Sequence, residues 1–127
     1  ATARVLAESD EVSPVAILLK MGNLLPRDHN AWLRGEVPFL ERVFQGSLSK
    51  ASRILRIIGF HMHDLNMIPF QQEYRQEGKN TFLRFSKRGE ANIERRYCQH
   101  YKWNRSPEKK RETIEQGLLL SNASRKT

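Results

Sequence analysis

A chain of 127 residues, 39% hydrophobic and 28% charged, has room for one modest core, which excludes a fully disordered chain and makes one domain the expectation. Its 22 Lys and Arg against 14 Asp and Glu leave a net charge of +8 and a pI near 10.1, a balance suited to a polyanion. The single Cys98 excludes an internal disulfide, and no apolar run approaches the ~18–20 residues that span a bilayer.

Residues 1–11 carry little pattern and are expected to be a loose lead-in. The opening ATARVLAESDEVS lacks both the apolar core of a signal peptide and the basic face of a transit peptide, and its start at Ala1 is expected from processing or trimming. A soluble, cytoplasmic protein is the expectation, with one domain over 12–105. Ser13-Pro14 reads as an N-cap followed by Pro at the first helical position, and the helix VAILLKM stops near Gly22-Asn23. A short helix follows over about 27–34, with Asp28 near its positive end and Gly35 as its stop. Pro38 opens another, PFLERVFQ, in which Phe39, Leu40, Val43 and Phe44 form one buried stripe. The longest element runs from Ser47 or Ser49 to about Asn66. Around it, Leu48, Ala51, Ile54, Leu55, Ile58, Met62 and Leu65 fall in one arc, opposite Ser49, Lys50, Ser52, Arg53, Arg56 and His63. Ile57 and Phe60 break the polar arc, as residues that pack on a neighbour or touch a partner do.

Beyond Pro69, FQQEY (70–74) alternates, QEGKN (76–80) supplies a turn and TFLRF (81–85) pairs back, which predicts a β-hairpin at 70–86. Gly89 breaks the chain. A helix is expected from about Glu90 to Trp103, with Ile93, Tyr97 and Tyr101 on one side. Ser106-Pro107 starts a last helix, weakened by Gly117, and SNASRKT reads as its frayed end, so 106–127 forms a C-terminal helix and tail. The expected fold is mainly α with one β-hairpin, an α+β domain whose layout resembles the helix-turn-helix and winged-helix plan.

The charge is localised. Residues 75–111 hold 12 Lys and Arg against 4 Asp and Glu, whereas residues 1–74 hold 8 against 8 and residues 112–127 hold 2 against 2. A localised positive field selects a polyanion. Arg75, Lys79, Arg84, Lys87 and Arg88 bracket the expected hairpin, and Arg95, Arg96, Lys102 and Arg105 follow; such side chains neutralise phosphates and release counterions. Tyr74, Phe82, Tyr97, Tyr101 and Trp103 interleave with them, as base stacking needs, although core aromatics beside solvated charges give the same pattern. On the long helix Lys50, Arg53 and Arg56 recur every three residues and suit either a major groove or a solvated face. RFSKRG (84–89) has the composition of a phosphate nest without the GxxxxGK[ST] arrangement.

The expected function is therefore a small basic nucleic-acid-binding protein, with duplex DNA favoured and a regulatory or accessory role. The alternatives are an RNA or ribonucleoprotein module, and a protein-interaction subunit that meets an acidic partner or a second copy through Ile57, Phe60 and Leu118–Leu120. A metal-dependent nuclease would need His63, Asp64, His100 and Glu73 to meet in space, and His61 and His63 point about 200° apart on a helix. No catalytic residue, cofactor, metal or membrane partner is expected. Cys98 reads as a small core residue.

The stretches WLRGEVPFLERV (32–43), SLSKASRILR (47–56) and LRFSKRGEANIERRYCQHY (83–101) resemble a group of small uncharacterised bacterial proteins. The resemblance spans most of residues 15–103. It implies a bacterial source, among accessory or mobile-element genes, and no activity, fold or site.

Overall fold

The first element is a helix, α1 (Thr2–Glu8), in the computed structural model, which describes residues 1–125 and their side chains through Leu119. This corrects the loose lead-in expected over 1–11. A seven-residue helix does not hold itself in water; it forms here because Val5 and Leu6 are buried and α1 packs against α6 (Pro107–Arg125) as well as the segment that follows it. Gly117 makes that docking close: a Cβ there would stand 2.7 Å from the Ala3 Cβ. The glycine that weakens α6 is what admits α1. The fraying expected from Ser121 gives way to helix through Arg125, and residues 126–127 lie outside the described residues.

The caps act as their residue types predict. The Ser13 hydroxyl accepts from the Ala16 N–H at 3.1 Å at the start of α2 (Pro14–Met21), and Gly22 closes the helix at φ +79°. Helix α3 (Pro26–Leu33) carries Trp32, which is fully buried. The long helix α4 (Leu48–Asp64) starts at Ser47, whose hydroxyl accepts from the Lys50 N–H, and buries Ala51, Ile54, Ile58 and Met62 as the wheel predicts, while Leu48 of the same arc is exposed in the first turn. PFLERVFQ, expected as a helix, is reduced to a single 3-10 turn over Leu40–Val43. The Leu40 and Glu41 N–H groups donate instead to the Arg84 and Phe85 carbonyls, so this backbone is spent on a distant segment.

Two corrections concern the second half. The helix expected over 90–103 ends early: α5 (Ala91–Tyr97) gives way to a strand, β3 (Gln99–Lys102). That strand is the centre of a three-stranded antiparallel sheet of order β1-β3-β2, between β1 (Glu11–Val12) and β2 (Ile68–Gln71). Glu11 faces Lys102, and Phe70 faces His100. Pro69 is tolerated because β2 is an edge strand. Hence Phe70 and Gln71 pair with β3 and not with TFLRF. The hairpin expected at 70–86 survives in reduced form, as one bridge between Arg75 and Phe82 flanked by the bonds Leu83 N–H to Tyr74 C=O and Gln76 N–H to Thr81 C=O. Mainly helical α+β architecture is thus present, with a small sheet where a lone hairpin was expected. No helix among the described residues is long and apolar enough to cross a membrane.

Aromatic rings hold the two halves together. Phe85 stacks on Tyr97 at 4.8 Å, meets Tyr74 edge-on at 5.2 Å and lies 5.0 Å from Trp32. The Trp32 indole N–H donates to the Arg84 carbonyl at 2.8 Å. Gly35, at φ +80°, lets the turn dock beside it: a Cβ would overlap the Gln76 amide, and the Glu77 N–H donates to the Leu33 carbonyl. Gly35→Ala is expected to cost about 1–2 kcal/mol from the left-handed backbone alone, read as a lower midpoint in urea unfolding.

Candidate nucleic-acid interface

The structure separates the cations named from the sequence into those that are free and those already engaged. Lys50, Arg53 and Arg56 are exposed on α4, and Lys79, Lys87, Arg88, Arg95 and Arg96 are exposed in the second half. Arg75 is engaged three ways. It donates to Glu73 at 3.1 Å and to the Asn80 side chain at 3.2 Å, and its guanidinium lies 4.8 Å over the Phe82 ring. Arg84 curls back and donates to the Lys87 carbonyl at 2.6 Å, which shapes the loop that carries Lys87 and Arg88.

An inward-turned acid explains why this loop presents cations. Glu94, on the first turn of α5, accepts from the Phe85 N–H at 2.8 Å, the Ser86 N–H at 2.9 Å and the Ser86 hydroxyl at 2.8 Å. The Ser86 hydroxyl in turn accepts from the Gly89 N–H. RFSKRG therefore does form a nest for an anion, and the anion is the chain's own carboxylate. The Glu94 charge faces inward, while Lys87, Arg88, Arg95 and Arg96, with Glu90 among them, face water.

The same helix builds one wall of a groove of about 600 Å³. Leu55, Arg56, Gly59 and Phe60 of α4 face Asn92, Arg95 and Arg96 of α5, over Gln99 and Tyr101 of β3. Among the described residues no acidic side chain lines it. Among the described residues Arg56, Arg95 and Arg96 make no ion pair. Gly59 adds no side chain between the walls, and a Cβ there would stand 3.9 Å from the Tyr101 hydroxyl, in ordinary contact. Phe60 stands at the rim, 67% exposed. The sequence carried a trace of this groove in Phe60, the aromatic out of place on a polar arc; its second wall depends on tertiary docking.

The aromatics expected to stack on bases are mostly unavailable. Tyr97 and Trp103 are buried, and Tyr74 packs half-buried against the core with its hydroxyl 2.8 Å from His100 Nε2. Tyr101 is half-buried in the sheet, and Phe82 is exposed but lies under Arg75. Phe60 replaces them as the open ring beside free cations.

The histidines and the cysteine do not converge. His63 and Asp64 are exposed at the end of α4, whereas His100 is buried in β3. His100 Nδ1 lies 2.5 Å from the Glu11 carboxylate and donates to it, so the buried ring bridges Glu11 and the Tyr74 hydroxyl. Burial raises the Tyr74 hydroxyl well above its ordinary range. Burial, with Glu94 and Glu73 nearby, pushes the Cys98 thiol up to about 11, so the group is a neutral thiol at pH 7. Among the described residues no three His, Cys, Asp or Glu side chains are grouped to hold a metal ion.

Comparison with known proteins found no match to a family model, a curated protein or a solved structure.

Proposed function

We propose that this protein binds nucleic acid in the cytoplasm, in a regulatory or accessory role, and holds the phosphate backbone with the cations of α4, α5 and the 79–88 loop. The observation that carries this reading is the orientation of charge around Glu94. The acid is consumed by three internal hydrogen bonds, and Lys87, Arg88, Arg95 and Arg96 are left exposed around it. A solvated surface has no need to commit a carboxylate to an internal nest, whereas a phosphate-binding surface gains when Glu90 is the only acid of residues 84–96 left exposed among these cations.

Duplex DNA is the favoured form. Helix α3, the 3-10 turn and α4 follow a helix-turn-helix order, and the reduced hairpin after α4 stands where a winged-helix plan has its wing. In that arrangement α4 reads the major groove through Lys50, Arg53 and Arg56, and Lys79 and Lys87 hold the backbone. Binding measured by gel shift against duplex DNA, single-stranded DNA and RNA over a salt series tests the reading. Affinity is expected to fall with log salt at a slope of about 0.9 per phosphate contacted on duplex. Arg53→Ala is expected to lose about 1–3 kcal/mol on the preferred sequence and little on others. A salt-independent affinity, or none at low salt, overturns the reading.

A further inference from the structure

We propose that the groove between α4 and α5 is a subsite for one unpaired nucleotide of a single-stranded nucleic acid, with its base on the Phe60 ring and its flanking phosphates on Arg56, Arg95 and Arg96. The inference rests on the nucleic-acid reading above but not on its preference for duplex: at this subsite it puts an unpaired base on a stacking residue, and Arg56 serves the strand there instead of the major groove.

The argument begins with Phe60. A phenylalanine left 67% exposed on a helix gains nothing from burial, and it stands one turn beyond Arg56 on the same side of α4. A ring flanked by guanidinium groups matches a nucleotide in two ways, since a base offers a flat apolar face and its phosphate a charge. A paired base has both faces covered by its neighbours in the stack, so only an unpaired one can lie on this ring.

The groove suits the remainder of such a ligand. Its volume of about 600 Å³ falls in the usual range for a small-ligand cleft. Among the described residues no acid lines it, and the three arginines are its only charges. Two amides reach the groove, those of Asn92 and Gln99. Gln99 Oε1 already accepts from the Gln71 side chain at 2.6 Å, which fixes the amide and leaves its N–H groups to donate to the edge of a base. An acidic peptide would satisfy the arginines but would give the ring and the fixed amide nothing to do.

Fluorescence anisotropy with a labelled single-stranded 12-mer and with the matching duplex tests this, supported by a 2-aminopurine probe in the single strand. Phe60→Ala is expected to weaken single-strand binding about 10-fold and to change duplex binding less than about twofold, while Phe60→Trp restores the single-strand affinity. The 2-aminopurine signal, changed by wild-type protein, is expected to stay unchanged with Phe60→Ala. Because the ring is exposed, the variant keeps the wild-type melting temperature. Equal loss on duplex and single strand, no loss on either, or equal competition by polyglutamate against wild type and Phe60→Ala overturns the subsite and leaves the nucleic-acid reading standing. Failure of the wild-type protein to bind any nucleic acid at low salt overturns both.

Discussion

Reversing Arg56, Arg95 and Arg96 together to Glu is expected to lower nucleic-acid affinity more than about 100-fold near 0.1 M salt and to take roughly two to three units from the salt slope. Two properties set the size of the effect. All three side chains are exposed and make no ion pair among the described residues, so the substitution removes phosphate contacts without undoing an internal bond. They also share one groove, so reversal turns a wholly cationic cleft into an anionic one that repels the strand. The folded state is expected to keep its melting temperature or gain slightly, because an excess of like charge is relieved. Arg34→Glu is the matched control. Arg34 pairs with Glu36 at 3.0 Å near the end of α3, outside the basic segment, and its reversal is expected to leave the slope unchanged. The triple change Lys79, Arg84 and Lys87 to Glu probes the loop separately. An unchanged slope in the groove variant would place the grip elsewhere on the molecule.

The parts of this fold that were legible in the sequence are those whose cause is local. Ser13, Pro14 and Gly22 bound α2 because a hydroxyl cap, a missing N–H and a left-handed closure all act within a few residues. Helix α4 was legible because its apolar arc repeats over 17 residues. What failed depends on distance. Tyr101 continues the i, i+4 spacing of Ile93 and Tyr97 and so looked helical, yet β3 exists because Gln99–Lys102 is bonded on one side to residues 68–71 and on the other to residues 11–12. No local pattern encodes a pairing between Val12 and Tyr101. Helix α1 was missed in part for the same reason, since α6 at the other end of the chain supports it together with the neighbouring α2 and β1. The site divides likewise. The list of cations was legible from composition, but which of them are free was not: the capture of Arg75 by Glu73 and Phe82, and the inward turn of Glu94, follow from how the loop folds.

Glu94→Ala is expected to destabilise the protein by about 3 kcal/mol, a large loss for one side chain outside the apolar core. The carboxylate is the acceptor for two backbone N–H groups and one hydroxyl at a mostly buried site, and alanine leaves the N–H groups of Phe85 and Ser86 without a protein partner. Phe85 is the ring on which Tyr97, Tyr74 and Trp32 converge, so a loosened 85–86 backbone is felt in the core. Glu94→Gln is expected to cost about half as much, because it keeps one acceptor oxygen but turns an amide N–H toward a backbone donor. Ser86→Ala is expected to cost about 1 kcal/mol in the wild-type chain and less beside Glu94→Ala, since the two side chains share one bond. The decisive measurement is thermal unfolding with added inorganic phosphate. In the wild-type chain the nest is filled by its own carboxylate; in Glu94→Ala the same donors are empty and lie beside Arg84. Phosphate is therefore expected to raise the melting temperature of Glu94→Ala by several degrees more than that of the wild type. Equal shifts in both would mean that Glu94 acts through packing and not as the anion of the nest.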